Sequence, residues 1–167
     1  MNKEAILRRR IRLLLIVFVF GLIMSGLTAF PLRWEVSTLA RFMGASDNAT
    51  VETTSGLLQW IVRVRNALDD TYSKYPFIAY GTDWLAFGHL MIALAFIGPL
   101  RDPIRNIWVI EFGMIACVMI IPLAMICGPI RGIPIYWRLI DCSFGVFGII
   151  PLWLARKYTI RLVKISA

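Results

Sequence analysis

Four apolar stretches constrain this chain more than any other feature of its sequence. They lie at about residues 11–30, 84–100, 107–127 and 135–155. A helix needs about 20 mostly apolar residues to cross the hydrocarbon core of a bilayer. Within lipid the backbone must satisfy its own hydrogen bonds, and the alternation typical of a transmembrane barrel is absent. We therefore expect an all-α, polytopic integral membrane protein built as a four-transmembrane-helix bundle.

The composition agrees with this interpretation. Of the 167 residues, 59% are hydrophobic and 17% are charged, whereas soluble domains are about 45–50% apolar and about 25% charged. A soluble core of this size cannot hide so much apolar surface, which excludes a soluble enzyme and a disordered chain. We expect one membrane domain over residues 1–167, with the lipid bilayer as its first partner.

The basic residues predict how the chain is oriented. Three segments, residues 3–12, residues 101–105 and the basic tail 156–167, hold 11 of the 18 Lys and Arg residues. These segments share one side of the membrane if the chain crosses four times. Because cytoplasmic flanks carry the excess of Lys and Arg, we expect both termini in the cytoplasm and the protein in a bacterial inner membrane. The net charge of +8 therefore reflects topology, and we expect no nucleic-acid partner.

The segment 31–82 is the only sizeable region that we expect outside the lipid. Within it, residues 55–69 predict an extracytoplasmic amphipathic helix of about 14 residues between spans 1 and 2. The apolar residues at helical spacing are Leu57, Ile61, Val64 and Leu68. The stripe either packs on the bundle or the membrane interface, or it forms a lid or a docking face for a partner or a second copy.

The polar residues of that helix, Arg65 among them, are expected on its surface. A second, shorter helical piece is expected over residues 35–43.

Ionisable residues inside the spans are the main functional candidates, because charge is costly in a bilayer. His89 lies in span 2 and Asp141 in span 4, with Arg138 one turn earlier. The helical rise places His89 and Asp141 at one level, roughly 8 and 9 Å below the outer ends of their spans. We expect the two to pair, or Arg138 to pair with Asp141 while His89 bonds to a backbone carbonyl.

Glu111 is the third ionisable residue, about 6 Å from the cytoplasmic end of span 3. Its carboxylate either reaches the headgroup region, meets Arg105 through a bent loop, or faces the bundle and binds a cation or a proton. Separately, small residues predict close helix packing at three pairs. These pairs are Gly21 with Ser25, Gly113 with Cys117, and Gly145 with Gly148.

Three classes of function remain open. The first is a non-catalytic membrane subunit or accessory protein that binds itself or a partner. The second handles a small molecule, a lipid or protons in a cavity lined by His89, Asp141 and Glu111, with Arg138 nearby. The third is a haem-binding or other redox membrane protein, in which a lone histidine needs a ligand from a second copy or a partner.

No motif in the sequence identifies a family, a cofactor or a reaction. The chain contains no H-E-x-x-H and no C-x-x-C sequence, so we predict no metal site and no catalytic residue. Whether the protein is an enzyme stays open at this level.

Overall fold

The computed structural model describes residues 3–166, in which helices are joined by turns and loops and no strand occurs. The helices are α1 (Lys3–Ala29), α2 (Leu32–Phe42), α3 (Gly56–Lys74), α4 (Tyr80–Ala95), α5 (Ile97–Arg101), α6 (Ile107–Ile130) and α7 (Ile135–Ser166). A 3-10 turn over Pro76–Ala79 precedes α4. Four helical segments are long and apolar enough to cross a membrane. They are Lys3–Ala29, Pro76–Arg101, Ile107–Ile130 and Ile135–Ile165, so the all-helical architecture and the number of candidate spans are confirmed.

All four candidate spans are longer than the hydropathy predicts, and the second and fourth exceed it most. The second begins at Pro76 and contains a break between α4 and α5. Pro99 explains the break, because it has no N–H to donate to the carbonyl of Ala95, where α4 ends. The fourth continues without interruption through the basic tail, so that α7 is 32 residues long.

The chain divides into two compact units. We call the first the hairpin unit; it contains α1 up to Leu22 and the chain from Ile92 onward. The second, the α2–α3 unit, runs from Ile23 to Met91. Each unit has its own way of burying side chains.

The hairpin unit is built around the antiparallel helices α6 and α7. Its core contains Ile11, Leu15, Phe96, Val109, Ile110, Cys117, Leu152, Ala155 and Leu162. Two glycines allow the close approach. A Cβ atom on Gly113 would lie 2.8 Å from the Phe96 ring and 2.9 Å from the Leu152 side chain, and a Cβ on Gly145 would collide with the carbonyl oxygen of Cys117. The predicted packing faces on spans 3 and 4 are therefore confirmed.

The close packing predicted for the small-residue pair on span 1 is not present among the described residues. Gly21 and Ser25 are both exposed, and the described residues leave open space around Gly21. The buried small residue of α1 is Gly26, where a Cβ would lie 3.1 Å from the Ala86 carbonyl oxygen and 3.1 Å from the His89 Cβ of α4. Small-residue spacing indicates a stripe of close approach, but the neighbouring helix decides which side of the stripe is used.

The turn between α6 and α7 is fixed by the way α6 ends. Gly132 has a φ of 68°, and the backbone N–H of Ile133 donates to the Gly128 carbonyl over 2.9 Å. Together with the bond from the Gly132 N–H to Pro129, this is a Schellman motif, which favours glycine because the backbone is left-handed there. The short turn makes α6 and α7 antiparallel neighbours.

In the α2–α3 unit, α2 and α3 pack against each other. α3 has 19 residues, against about 14 expected, and Ile61 and Val62 are buried within the described residues. α2 covers the helical piece expected over residues 35–43. It ends in a second Schellman motif with Gly44 at a φ of 91°, which turns the chain back toward α3.

Candidate functional site

Glu111 forms an ion pair across the hairpin. Its Oε1 accepts a hydrogen bond of 2.7 Å from Nε of Arg156 on α7. Both side chains are about two-fifths exposed, 42% and 41%, so the pair lies at the edge of the α6–α7 contact. The expected contact with Arg105 is not what the structure shows, because Arg105 lies in the turn before α6 begins.

Arg138 and Asp141 lie near the other end of the same hairpin. The aliphatic stem of Arg138 covers Gly128 of α6, where an added Cβ would lie 2.7 Å from its Cγ. Nε of Arg138 is buried and has no hydrogen-bond partner among the described residues. The expected pair between Arg138 and Asp141 is not among the ion pairs of the described residues.

Asp141 is partly buried on the side of α7 that carries Gly145, one helical turn further along. Since Gly145 meets Cys117 of α6, this side faces α6. Among the described residues of its own unit, Asp141 makes no ion pair or hydrogen bond. A carboxylate on a packed helix face without a partner is a candidate site for a proton or a polar ligand.

His89 bonds to its own helix. Its Nδ1 lies 2.8 Å from the carbonyl oxygen of Leu85, one turn earlier on α4. A carbonyl oxygen can only accept, so Nδ1 carries the hydrogen of this bond. This bond to a backbone carbonyl is one of the two alternatives expected for His89 from the sequence. His89 and Asp141 belong to different units, so their pairing stays a prediction.

Arg65 is a residue whose role the sequence pattern does not reveal. It was expected on the surface of α3, but it is only 5% exposed. Its Nη1 donates to the Ser46 carbonyl over 3.1 Å, and its Nη2 donates to the Ala49 carbonyl over 2.8 Å. The guanidinium therefore fixes the loop between α2 and α3. The loop's carbonyls need donors, and a long cation in the helix opposite supplies them.

Other contacts tie the same loop and helix α2 to α3. Nε2 of Gln59 donates to the Val51 carbonyl over 2.8 Å, and Arg33 of α2 forms an ion pair with Asp69 of α3. Part of the polar face of α3 therefore makes contacts within its own unit.

One end of the hairpin unit collects the basic residues. Arg8 and Arg12 of α1 lie beside Arg101, at the end of α5, and Pro103, in the turn that follows, around a small depression. On the other side of α1, its N-terminal residues border a larger groove with the last turns of α7. The three basic segments of the sequence therefore meet at one end of this unit.

α4 has two unlike faces. One side meets Gly26 of α1 through Ala86 and His89. The other side carries Tyr80, Trp84 and Phe87, which are 61%, 57% and 49% exposed. Trp84 lies edge-on to both neighbours, with ring centroids 5.9 Å from Tyr80 and 5.6 Å from Phe87. The result is an aromatic face that is about half exposed within the described residues.

No group of three His, Cys, Asp or Glu residues in the described chain could hold a metal ion. Comparisons with known proteins add no function: no protein-family model matches the chain, and neither the curated proteins nor the solved structures searched contain a match. The function must therefore be argued from the residues themselves.

Proposed function

We propose that the chain is a multi-pass protein of the inner membrane with both termini in the cytoplasm. The meeting of the three basic segments at one end of the hairpin unit supports this orientation, since Lys and Arg flanks are retained in the cytoplasm. The loop over residues 44–55 then lies outside the cytoplasm.

The orientation is tested with reporter fusions to the full chain. Alkaline phosphatase, which is active only outside the cytoplasm, is expected to be active when inserted after Asp47 and inactive after Ala167. A fluorescent protein that matures only in the cytoplasm gives the opposite result. Membrane fractions that lose the protein on alkaline carbonate extraction would contradict insertion itself.

Within the membrane, we propose that the protein is a non-catalytic accessory subunit that binds another membrane protein or a second copy of itself. The aromatic face of α4 carries this proposal. Its three rings are held edge to face, and rigid, exposed aromatic side chains are the residues that anchor protein interfaces. Gly26 of α1 packs closely on the opposite side of α4, so the aromatic face points away from that contact.

The predicted docking helix 55–69 enters this proposal in a changed form. Ile61 of its apolar stripe is buried inside the α2–α3 unit, together with the neighbouring Val62. A partner on α3 would therefore meet its exposed positions, among them Arg63 and Ala67. We place the main contact on α4 and an accessory polar contact on α3.

The test is photo-crosslinking from the full chain in cells. A photoreactive phenylalanine analogue replaces Trp84 on the aromatic face, Ala67 on α3, or Phe147 on α7. Phe147 is the matched control, because it is an aromatic residue of the other unit and is 71% exposed. The proposal expects one discrete protein adduct from position 84 and none from position 147. Adducts with lipid alone at all three positions would overturn it.

A second candidate function is supported by Asp141. It is partly buried on a packed helix face and has no partner among the described residues of its unit. We propose as the alternative that Asp141, with His89 and Glu111, handles protons or a small polar molecule, with Arg138 close by on α7. The test measures proton flux in proteoliposomes with Asp141→Asn and with the control Asp102→Asn. A flux that Asp141→Asn abolishes while the fold stays intact favours this function over the first.

A further inference from the structure

The second groove at the basic end of the hairpin unit has two kinds of lining. Lys3, Ile6, Leu7 and Arg10 come from the first turns of α1, and Arg161, Lys164 and Ile165 come from the last turns of α7. Its volume is about 520 Å³, within the range of about 300–1,000 Å³ typical of small-molecule sites. Four cationic and three aliphatic side chains thus line the groove.

The described residues that line this groove carry no compensating negative charge. None of its described lining residues is acidic, and none of the four cations belongs to an ion pair of the described residues. The neighbouring carboxylate, Glu4, accepts two hydrogen bonds from Arg8 on another side of α1. Arg10 lies over the ring of Tyr158, 5.9 Å from its centroid, which holds its guanidinium against α7.

We propose that this groove binds the phosphate headgroup of an anionic phospholipid. Arginine and lysine are the side chains that recognise phosphate. A free phosphate ion has no apolar part that the aliphatic side chains could contact, whereas Ile6 and Ile165 can contact the glycerol and the first acyl carbons of a lipid. The inference rests on the proposed membrane insertion, which places this end of the protein at the level of the cytoplasmic headgroups.

The test uses the full chain in detergent micelles and measures lipid binding by native mass spectrometry. The probes are phosphatidylglycerol and, as the zwitterionic control, phosphatidylcholine. The groove variant is Arg10→Gln with Arg161→Gln. The matched control is Arg9→Gln with Lys157→Gln, which removes two exposed charges from the same helices at the same end without touching the groove lining.

A basic residue that contacts the bound headgroup is worth about five-fold in binding, whereas one outside the groove acts only through the screened charge of the surface. The groove variant is therefore expected to weaken phosphatidylglycerol binding by about 25-fold, and the control variant by less than about five-fold. Phosphatidylcholine binding is expected to change little in either. Equal losses in the two variants would mean a diffuse surface charge and would overturn the groove. Displacement of the lipid by an equal concentration of inorganic phosphate would assign the site to the free ion instead.

Circular dichroism of both variants separates misfolding from lost binding. If the groove variant loses helicity, the single variant Lys164→Gln replaces it, with an expected loss of about five-fold against Lys157→Gln. Failure of the membrane proposal is recognised separately, because carbonate extraction and the reporter fusions test insertion without reference to lipid binding. A protein that inserts as proposed while both variants bind alike refutes the groove alone.

Discussion

The α6–α7 hairpin and the α2–α3 pair are both antiparallel helix pairs, yet different groups hold them together. In the hairpin, glycines let the backbones approach, so that Gly145 lies directly against the Cys117 carbonyl. In the α2–α3 unit, side chains donate hydrogen bonds to loop carbonyls, as Arg65 does to Ser46 and Ala49. The hairpin depends on glycines, which have no side chain, and the α2–α3 unit depends on the long, charged side chain of Arg65.

The difference follows from the solvent that we propose for each region. Apolar side chains gain little by moving from lipid into a contact between helices, so close van der Waals packing of small residues drives helix association in a membrane. In a polar segment of about 50 residues, a large apolar core cannot form, and a buried cation with three hydrogen bonds takes its place. The predictions below test each half of this comparison.

The largest effect is expected for Gly145→Ala in the hairpin. The new methyl group would collide with a backbone carbonyl of α6, which cannot rotate away. We expect the free energy of unfolding to fall by about 3 kcal/mol, the upper end for overpacking, measured by reversible unfolding in mixed micelles. The control is Gly21→Ala, where the space is open and better helix propensity adds up to about 1 kcal/mol. Equal destabilisation by both would show that backbone approach does not hold the hairpin.

Arg65→Met is expected to have the next largest effect, confined to the α2–α3 unit. It keeps the stem but removes the donors to two carbonyls, at a cost of about 2 kcal/mol. The measurement is amide hydrogen exchange, which should accelerate in the loop over residues 44–55 and stay unchanged in α6. Arg63→Met is the control, since Arg63 is exposed on the same helix. Unchanged exchange in the loop would mean that Arg65 is not what fixes it.

Hydropathy predicts the four spans because length and apolar content are local properties of the chain. The third span was expected over residues 107–127, and α6 covers Ile107–Ile130. The break before Pro99 and the turn at Gly132 also follow from residue chemistry, although their exact positions were not predicted. Local rules therefore account for most of the helices.

The candidate site is harder to predict because its contacts are not local. Glu111 pairs with a residue 45 positions away, whereas Arg105 was the one side-chain partner named for it from the sequence. Arg65 follows an amphipathic pattern in which every charge looks solvent-exposed, and only the loop carbonyls explain its burial. Gly26 lies next to the predicted Ser25, and a shift of one residue turns the packing face by about 100°.

A double-mutant cycle on Glu111 and Arg156 measures how much their ion pair stabilises the hairpin. Both side chains are partly exposed, so we expect a coupling energy of about 1 kcal/mol or less. Glu111→Ala, Arg156→Ala and the double variant are unfolded under the same conditions. The control cycle pairs Glu111 with Arg105 and should give no coupling. A coupling well above that of an exposed pair would show that lipid shields this end of the hairpin from water.

The smallest effect is expected for the ion pair of Arg33 with Asp69, which joins α2 to α3. The two side chains are 55% and 40% exposed, and an exposed pair contributes about 0.5 kcal/mol. Arg33→Asp and Asp69→Arg should each accelerate hydrogen exchange in α2 slightly, and the double variant should restore it, because the exchanged charges attract again. Salt should diminish the effect, since exposed charges are screened within about 10 Å at 0.1 M. If the pair instead contributes as much as Arg65, the α2–α3 unit is held by attraction between its helices. The buried hydrogen bonds to the loop over residues 44–55 would then contribute no more than this ion pair. The unit would still differ from the hairpin, but through the charges that attract its two helices.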